Sequence, residues 1–146
     1  MASQILYFDR CVGTAIPESL RLLGMRNVYH HHIHRVKVGL KPERGQVNLF
    51  RHDTPDDEWL AFVGAKGWVV ISQDYSFHLE PAVLSVIKQH GVKVFYLWGA
   101  DKAKWEVMRV FARRYDDILE AAAGNRGPFI FRVRERGAFE GVSLND

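Results

Sequence analysis

The chain has 146 residues, 47% of them hydrophobic, which suits one domain whose core stands without covalent or metal staples. Its 20 Lys and Arg against 17 Asp and Glu, with a pI near 9.1, permit a nucleic-acid partner without being diagnostic of one. It holds no run of about 18 apolar residues and no basic-then-apolar leader, and Cys11 is its only cysteine; the composition thus argues against a membrane span, secretion and an internal disulfide framework, and the expectation is a soluble, cytoplasmic protein.

Gln4-Ile5-Leu6-Tyr7-Phe8 reads as a first strand, and Asp9-Arg10 leave its end at once. Cys11 reads as a small semi-buried hydrophobe. Pro17 to Gly24 places a proline in a first helical turn, apolar residues on one face and a glycine at the stop, which predicts a helix. Asn27 to His30 follows as a second strand, reached by the right-handed crossover of a parallel strand-helix-strand unit.

Between His31 and His52 the period changes. Val36 to Leu40 and Gln46 to Phe50 are short alternating runs around Lys41-Pro42-Glu43-Arg44-Gly45, the pattern of an inserted hairpin. Arg35, Lys37, Lys41, Arg44 and Arg51 face only Glu43 there, a basic projection suited to tracking a phosphate backbone or to keeping an exposed edge soluble. His30, His32 and His34 would share a strand face, which raises a zinc- or nickel-binding alternative. No Cys or acid stands beside them at a familiar ligand spacing, so a solvated or core-edge histidine cluster is the favoured account.

Thr54 suits a helix N-cap and Pro55 a first turn, and Asp56, Asp57 and Glu58 complement the positive end of a helix dipole, so a helix is predicted from there to Lys66-Gly67. Trp68 to Ile71 is a continuous apolar run, as a strand buried on both faces reads, and Asp74 sits just past its end. An acid there either forms an Asx-turn or lines the crevice outside the strand ends. Pro81 to His90 predicts a third helix and Val92 to Leu97 a fourth strand. Asp101 can cap the longest helix, whose residues Trp105, Met108, Phe111, Ala112, Tyr115, Ile118, Leu119 and Ala122 recur at core spacing up to Gly124. Pro128 to Val133 is a fifth strand, and 134–146 reads as an irregular tail in which Phe139, Val142 and Leu144 could dock. The expected whole is a single three-layer α/β/α domain over 1–146 with a mostly parallel five-stranded sheet and an inserted hairpin at 31–52.

Asp9 and Asp74 both leave strand ends, and Asp56 opens the helix before the central strand. No glycine-rich phosphate loop and no serine elbow or Cys/His nucleophile pair accompanies them. Carboxylates gathered in one crevice repel one another and make sense chiefly around a divalent cation, and oxygen-only ligands select magnesium or manganese. Such an ion can activate water for attack on phosphorus.

Phe8-Asp9-Arg10, Asp53 to Leu60, Gly67 to Asp74 and Gly127 to Val133 resemble, in order and spacing, the PIN-like domains of the VapC-type toxin group, small metal-dependent ribonucleases. The resemblance implies catalytic and metal-binding roles for Asp9, Asp56 and Asp74, with Asp57 as the adjacent substitute for Asp56. It implies an Mg2+ or Mn2+ cofactor and an RNA substrate, whose phosphates Arg10 and the inserted hairpin's Lys37, Lys41, Arg44 and Arg51 are read as guiding. Its implied partners are a cognate antitoxin and a second copy in a homodimer, with no membrane involved. A further acid usual in the first half of the family has no clear match here, and Ser72 stands where threonine is commoner. A non-catalytic RNA- or protein-binding module of the same fold is the alternative.

Overall fold

The computed structural model describes residues 4–31 and 54–144. The expected hairpin, with Lys37, Lys41, Arg44 and Arg51, and His32 and His34 of the histidine cluster lie outside the described residues. Six strands, β1 (Leu6–Phe8), β2 (Val28–His30), β3 (Val69–Ser72), β4 (Lys93–Tyr96), β5 (Phe129–Arg132) and β6 (Glu140–Gly141), form one sheet in the order β2-β1-β3-β4-β5-β6. The first five run parallel and β6 is antiparallel to β5. The helices are α1 (Ala15–Leu22), α2 (Asp56–Ala65), α3 (Pro81–His90) and α4 (Lys104–Gly124), with a short 3-10 turn at Phe77–Leu79.

Alternation along each strand divides the core in two. Leu6, Phe8, Val69, Ile71, Phe95 and Phe129 pack with α1 and α4 on one face, while Tyr7, Val70, Val94, Tyr96 and Ile130 pack with α2 and α3 on the other. Strands with apolar side chains on both faces need cover on both, which is why the apolar runs seen in the sequence belong to a three-layer α/β/α arrangement. The chain leaves β1 for β2 on one side, then returns to place β3 on the other side of β1. That reversal opens a crevice outside the carboxyl ends of β1 and β3, the position where open α/β sheets bind ligands.

Several local expectations are corrected. The sheet has six strands rather than five, because part of the tail pairs with β5 through Glu140–Gly141. The tail is also anchored: buried Arg114 donates to the carbonyls of Arg134 and Gly137 at 3.0 and 2.7 Å, Phe139 packs on the α1/α4 side, and Val142 and Leu144 pack on the α2/α3 side. The N-cap of α2 is Pro55, not Thr54, and that of α4 is Ala103, not Asp101; neither helix has a side-chain cap. Helix α1 begins at Ala15, two residues before Pro17, and the first strands and β3 are shorter than or shifted from the sequence spans. Along α4 the buried stripe is Val107, Val110, Phe111, Arg114, Ile118 and Ala122, so Trp105, 73% exposed, and Ala112, also exposed, leave the core list. The amphipathic period was right, but Trp105, at the second position of α4, stays at the surface beside α1. At the end of α3, Gly91 takes the left-handed conformation, φ 62°, that closes the last turn.

Candidate active site

Asp9 follows β1 directly, and its N–H still donates to the Ile71 carbonyl of β3 at 2.9 Å, so the ladder carries it into the crevice. Its side chain is only 4% exposed. The Ser72 hydroxyl donates to Asp9 Oδ2 at 3.1 Å, and the Cys11 thiol donates to the same oxygen at 3.3 Å. Ser72 also accepts the backbone N–H of Asp74 at 3.1 Å, and Cys11 Sγ accepts that of Gln73 at 3.3 Å. Two small side chains thus tie the end of β1 to the loop after β3.

Burial raises the Asp9 carboxyl above the ordinary 3.8; the Cys11 and Ser72 hydrogen bonds act the other way, and the negative charge of Asp56 adds to the rise. No cation among the described residues pairs with Asp9. The Cys11 thiol is pushed up to about 11 by burial and by Asp9, so it stays protonated and serves as a donor. The residue as a whole is exposed, yet its sulfur is turned inward onto Asp9, Ser72 and Gln73. The expectation of a merely semi-buried hydrophobe is therefore replaced by a polar bridging role.

Asp56 opens α2 on the other side of the crevice. Its Oδ1 accepts from Arg10 Nη2 at 2.6 Å and from the Trp59 indole at 2.9 Å, while Arg10 Nη2 also reaches the Thr54 carbonyl at 3.0 Å. Arg10 and Asp56 are about one-third exposed, at 29% and 35% for the side chains. Trp59 is fully buried beside Tyr7, so it anchors Asp56 to the core from three residues along the same helix face.

Asp74 is exposed and forms the Asx-turn: its Oδ1 accepts the Ser76 N–H at 3.1 Å and the Ser76 hydroxyl at 2.8 Å. This leads the chain into the 3-10 turn at Phe77. Asp57 and Glu58 follow Asp56 in the first turn of α2.

Among the sequence-identified acids, the structure brings Asp9 and Asp56 into electrostatic contact and joins Asp9 to the Asp74 backbone through Ser72. Among the described residues, no three His, Cys, Asp or Glu side chains converge closely enough to hold a metal ion. His30 and His31 are buried: His30 Nε2 donates to the Val12 carbonyl at 2.5 Å, and the Tyr7 hydroxyl, held protonated by burial, lies 2.6 Å from His31 Nδ1. Both are integrated in the core edge.

Cys11, Trp59 and the role of Ser72 escaped the sequence reading. Trp59 could have been found from its three-residue spacing to Asp56. Cys11 and Ser72 meet only through strand pairing 61 residues apart, which no local pattern announces.

A family model described as a PIN like domain matches residues 5–99, a span containing Asp9, Asp56 and Asp74. No curated protein and no solved structure gives a significant match. No helix among the described residues is long and apolar enough to cross a membrane.

Proposed function

The chain belongs to the PIN-like domain family, a superfamily of nucleases, and from that premise we propose that it is a metal-dependent endoribonuclease hydrolysing RNA phosphodiester bonds with Asp9 at the centre of its site. The observation that carries the reading is the burial of the Asp9 carboxylate at the sheet's switch point with no cationic partner among the described residues. An uncompensated buried charge is costly, and a hard divalent cation with oxygen ligands offsets it. Magnesium binds through one or two carboxylates and keeps several waters, so this donor set suits it without a three-carboxylate cage. Asp9 would hold the ion directly, with Asp56 and Asp74, and Asp57 as the substitute for Asp56, acting on it through its waters rather than as a closed three-carboxylate set.

When bound, Mg2+ or Mn2+ would acidify a water for attack on phosphorus and offset charge on the departing oxygen. The protein's own part is positional. Ser72 and Cys11 hold Asp9 Oδ2 and fix the carboxylate on its strand. Arg10 keeps Asp56 neutralised at rest. An incoming RNA phosphate offers the guanidinium two anionic oxygens in place of the single Asp56 oxygen it bonds at rest, so Arg10 passes from Asp56 to the phosphate and frees the carboxylate as substrate arrives. Lys37, Lys41, Arg44 and Arg51 extend the basic track in this proposal.

The VapC-type resemblance of the segments around these acids supports placing the nuclease as the toxin of a toxin–antitoxin pair, with an antitoxin that covers the crevice and a homodimer as the working form. A second reading, a non-catalytic RNA- or protein-binding module, is favoured by the commitment of Asp56 to Arg10 and of Asp74 to its turn. The experiment is cleavage of end-labelled single-stranded RNA by the purified chain with Mg2+, with Mn2+ and with EDTA. Metal-dependent internal cleavage supports the nuclease; RNA retention without cleavage in either metal supports the binding module.

A further inference from the structure

Arg132 closes β5, and strand register brings it into line with the acid crevice. Ile71 of β3 pairs with Phe8 and with Phe95, and Ser72 pairs with Tyr96, which pairs with Arg132. Asp9 follows Phe8 as Ser72 follows Ile71, so Asp9, Ser72, Tyr96 and Arg132 form one row across the carboxyl edge of the sheet. Residues paired across parallel strands point to the same face, and Tyr96 packs on the α2/α3 side, so the row faces that side. The steps β1-β3, β3-β4 and β4-β5 separate Asp9 from Arg132, about 14 Å at roughly 4.8 Å each.

The charges at the two ends of the row meet at its middle. Burial is the main reason that the Tyr96 phenol is pushed up to about 12, and beyond that its hydroxyl senses the charges of Asp74, Arg132 and Asp9. That hydroxyl is engaged by His78, accepting its backbone N–H at 3.2 Å and lying 2.6 Å from its Nδ1. The Arg132 guanidinium lies over the Tyr75 ring, 5.9 Å from the centroid, and the Tyr75 hydroxyl donates to the Leu97 carbonyl at 2.6 Å, which fixes the ring under it. Among the described residues, the carboxylate paired with Arg132 is that of Glu140: Nε lies 3.9 Å from Oε1, too far for a hydrogen bond, while Glu140 Oε2 accepts from Arg134 Nη2 at 2.6 Å. Both pairs are half-exposed and so weak. Arg132 thus presents its fork of donors at the crevice edge without a hydrogen bond to any described residue.

A planar fork of that kind matches two anionic oxygens of a phosphodiester. At about 14 Å from Asp9 it lies past the scissile phosphate, on the path of a strand that follows the sheet edge. We propose that Arg132 binds a backbone phosphate of single-stranded RNA a short way along from the scissile bond, and so sets the direction in which the strand crosses the sheet edge from β1 toward β5. The proposal rests on the nuclease reading for its substrate, but the contact itself is testable without turnover.

The test has two arms, run on the full chain. In the first, EDTA suppresses cleavage, and binding of a short fluorescein-labelled single-stranded RNA is followed by anisotropy across a salt series. Arg132→Gln should raise Kd by about tenfold, equivalent to roughly 1.4 kcal/mol, and should reduce the slope of log K against log salt by about 0.7, the loss of one phosphate contact. Glu140→Gln removes the same cross-strand ion pair but leaves the guanidinium, so it should keep or lower the parent's Kd. Thermal melts should show both variants folded as the parent is. In the second arm, with Mg2+, Arg132→Gln should raise KM for the same RNA by about tenfold with kcat within about twofold. If the parent binds RNA and does not cleave it, the nuclease reading fails alone and the anisotropy arm still decides Arg132. An unchanged Kd and salt slope in Arg132→Gln, equal weakening in Glu140→Gln, or a parent that binds no RNA would each overturn the contact.

Discussion

The Ser72 hydroxyl donates to Asp9 Oδ2 at 3.1 Å and accepts the Asp74 N–H at the same distance, so one small side chain fixes a buried carboxylate and the turn beside it. Removing it with Ser72→Ala should leave the fold intact, lower apparent Mg2+ affinity in RNA cleavage by about 10- to 100-fold, the usual effect of losing a partner behind a ligand, and be rescued by Ser72→Thr. The measurement is the magnesium dependence of cleavage for the three proteins. An unchanged dependence in the alanine variant would remove Ser72 from the site.

Asp9 makes stability depend on pH in a particular direction. Its carboxyl is raised above 3.8 in the folded protein, chiefly by burial, so the folded state holds the proton more tightly than the unfolded chain does. The stability from that proton is complete below the unfolded value and is lost as pH rises through the folded one. Without metal, Asp9→Asn, which cannot ionise, should therefore melt above the parent near pH 7, and the difference should close near pH 3. Thermal melts at the two pH values check this. A variant that melts lower near pH 7 would mean that the Cys11 and Ser72 hydrogen bonds outweigh desolvation.

The Arg10 and Asp56 pair lies 2.6 Å apart and about one-third exposed, which limits its worth to roughly 0.2–1 kcal/mol of coupling in a double-mutant cycle with Arg10→Ala and Asp56→Ala. If Arg10 holds Asp56 in reserve, Arg10→Ala should also tighten Mn2+ binding while raising KM for RNA. Urea melts, Mn2+ titration and steady-state cleavage give the three numbers. Weaker Mn2+ binding in Arg10→Ala would show that the guanidinium does not compete for this carboxylate.

Asp74 separates a turn from a ligand. Asn makes the same bonds to Ser76, so Asp74→Asn should keep the parent's melting temperature within about 2 °C, as expected of a surface change worth under 0.5 kcal/mol. As a metal carboxylate, Asp74 is needed for its charge, and the variant should lose cleavage. Parent-like cleavage with the same magnesium dependence would leave Asp74 as a turn residue only.

The three layers were legible because Trp68 to Ile71, Val92 to Leu97 and Pro128 to Val133 are apolar on both faces, a pattern with few outcomes other than buried parallel strands. The carboxyl-end positions of Asp9 and Asp74 followed from the same runs. Helix caps were misplaced because Thr54 and Asp101 have the right side chains, yet the backbone starts its helical turn after Pro55 and Ala103 without using them. The tail looked irregular because β6 spans only Glu140–Gly141 and owes its place to β5 and to the reach of Arg114, neither of which leaves a local period. The bond of Arg10 to Asp56 and the sulfur and hydroxyl on Asp9 are products of strand order, and strand order is a property of the whole chain.

If RNA hydrolysis depends on the Asp9 carboxylate, cleavage of single-stranded RNA across a magnesium titration separates the parent from folded Asp9→Asn. Internal cleavage by the parent should saturate with Mg2+, and Asp9→Asn should lose at least about 100-fold at every concentration, a deficit of roughly 2.7 kcal/mol in transition-state stabilisation. Cleavage by Asp9→Asn within a few-fold of the parent, or no Mg2+-dependent cleavage by the parent, would contradict that dependence.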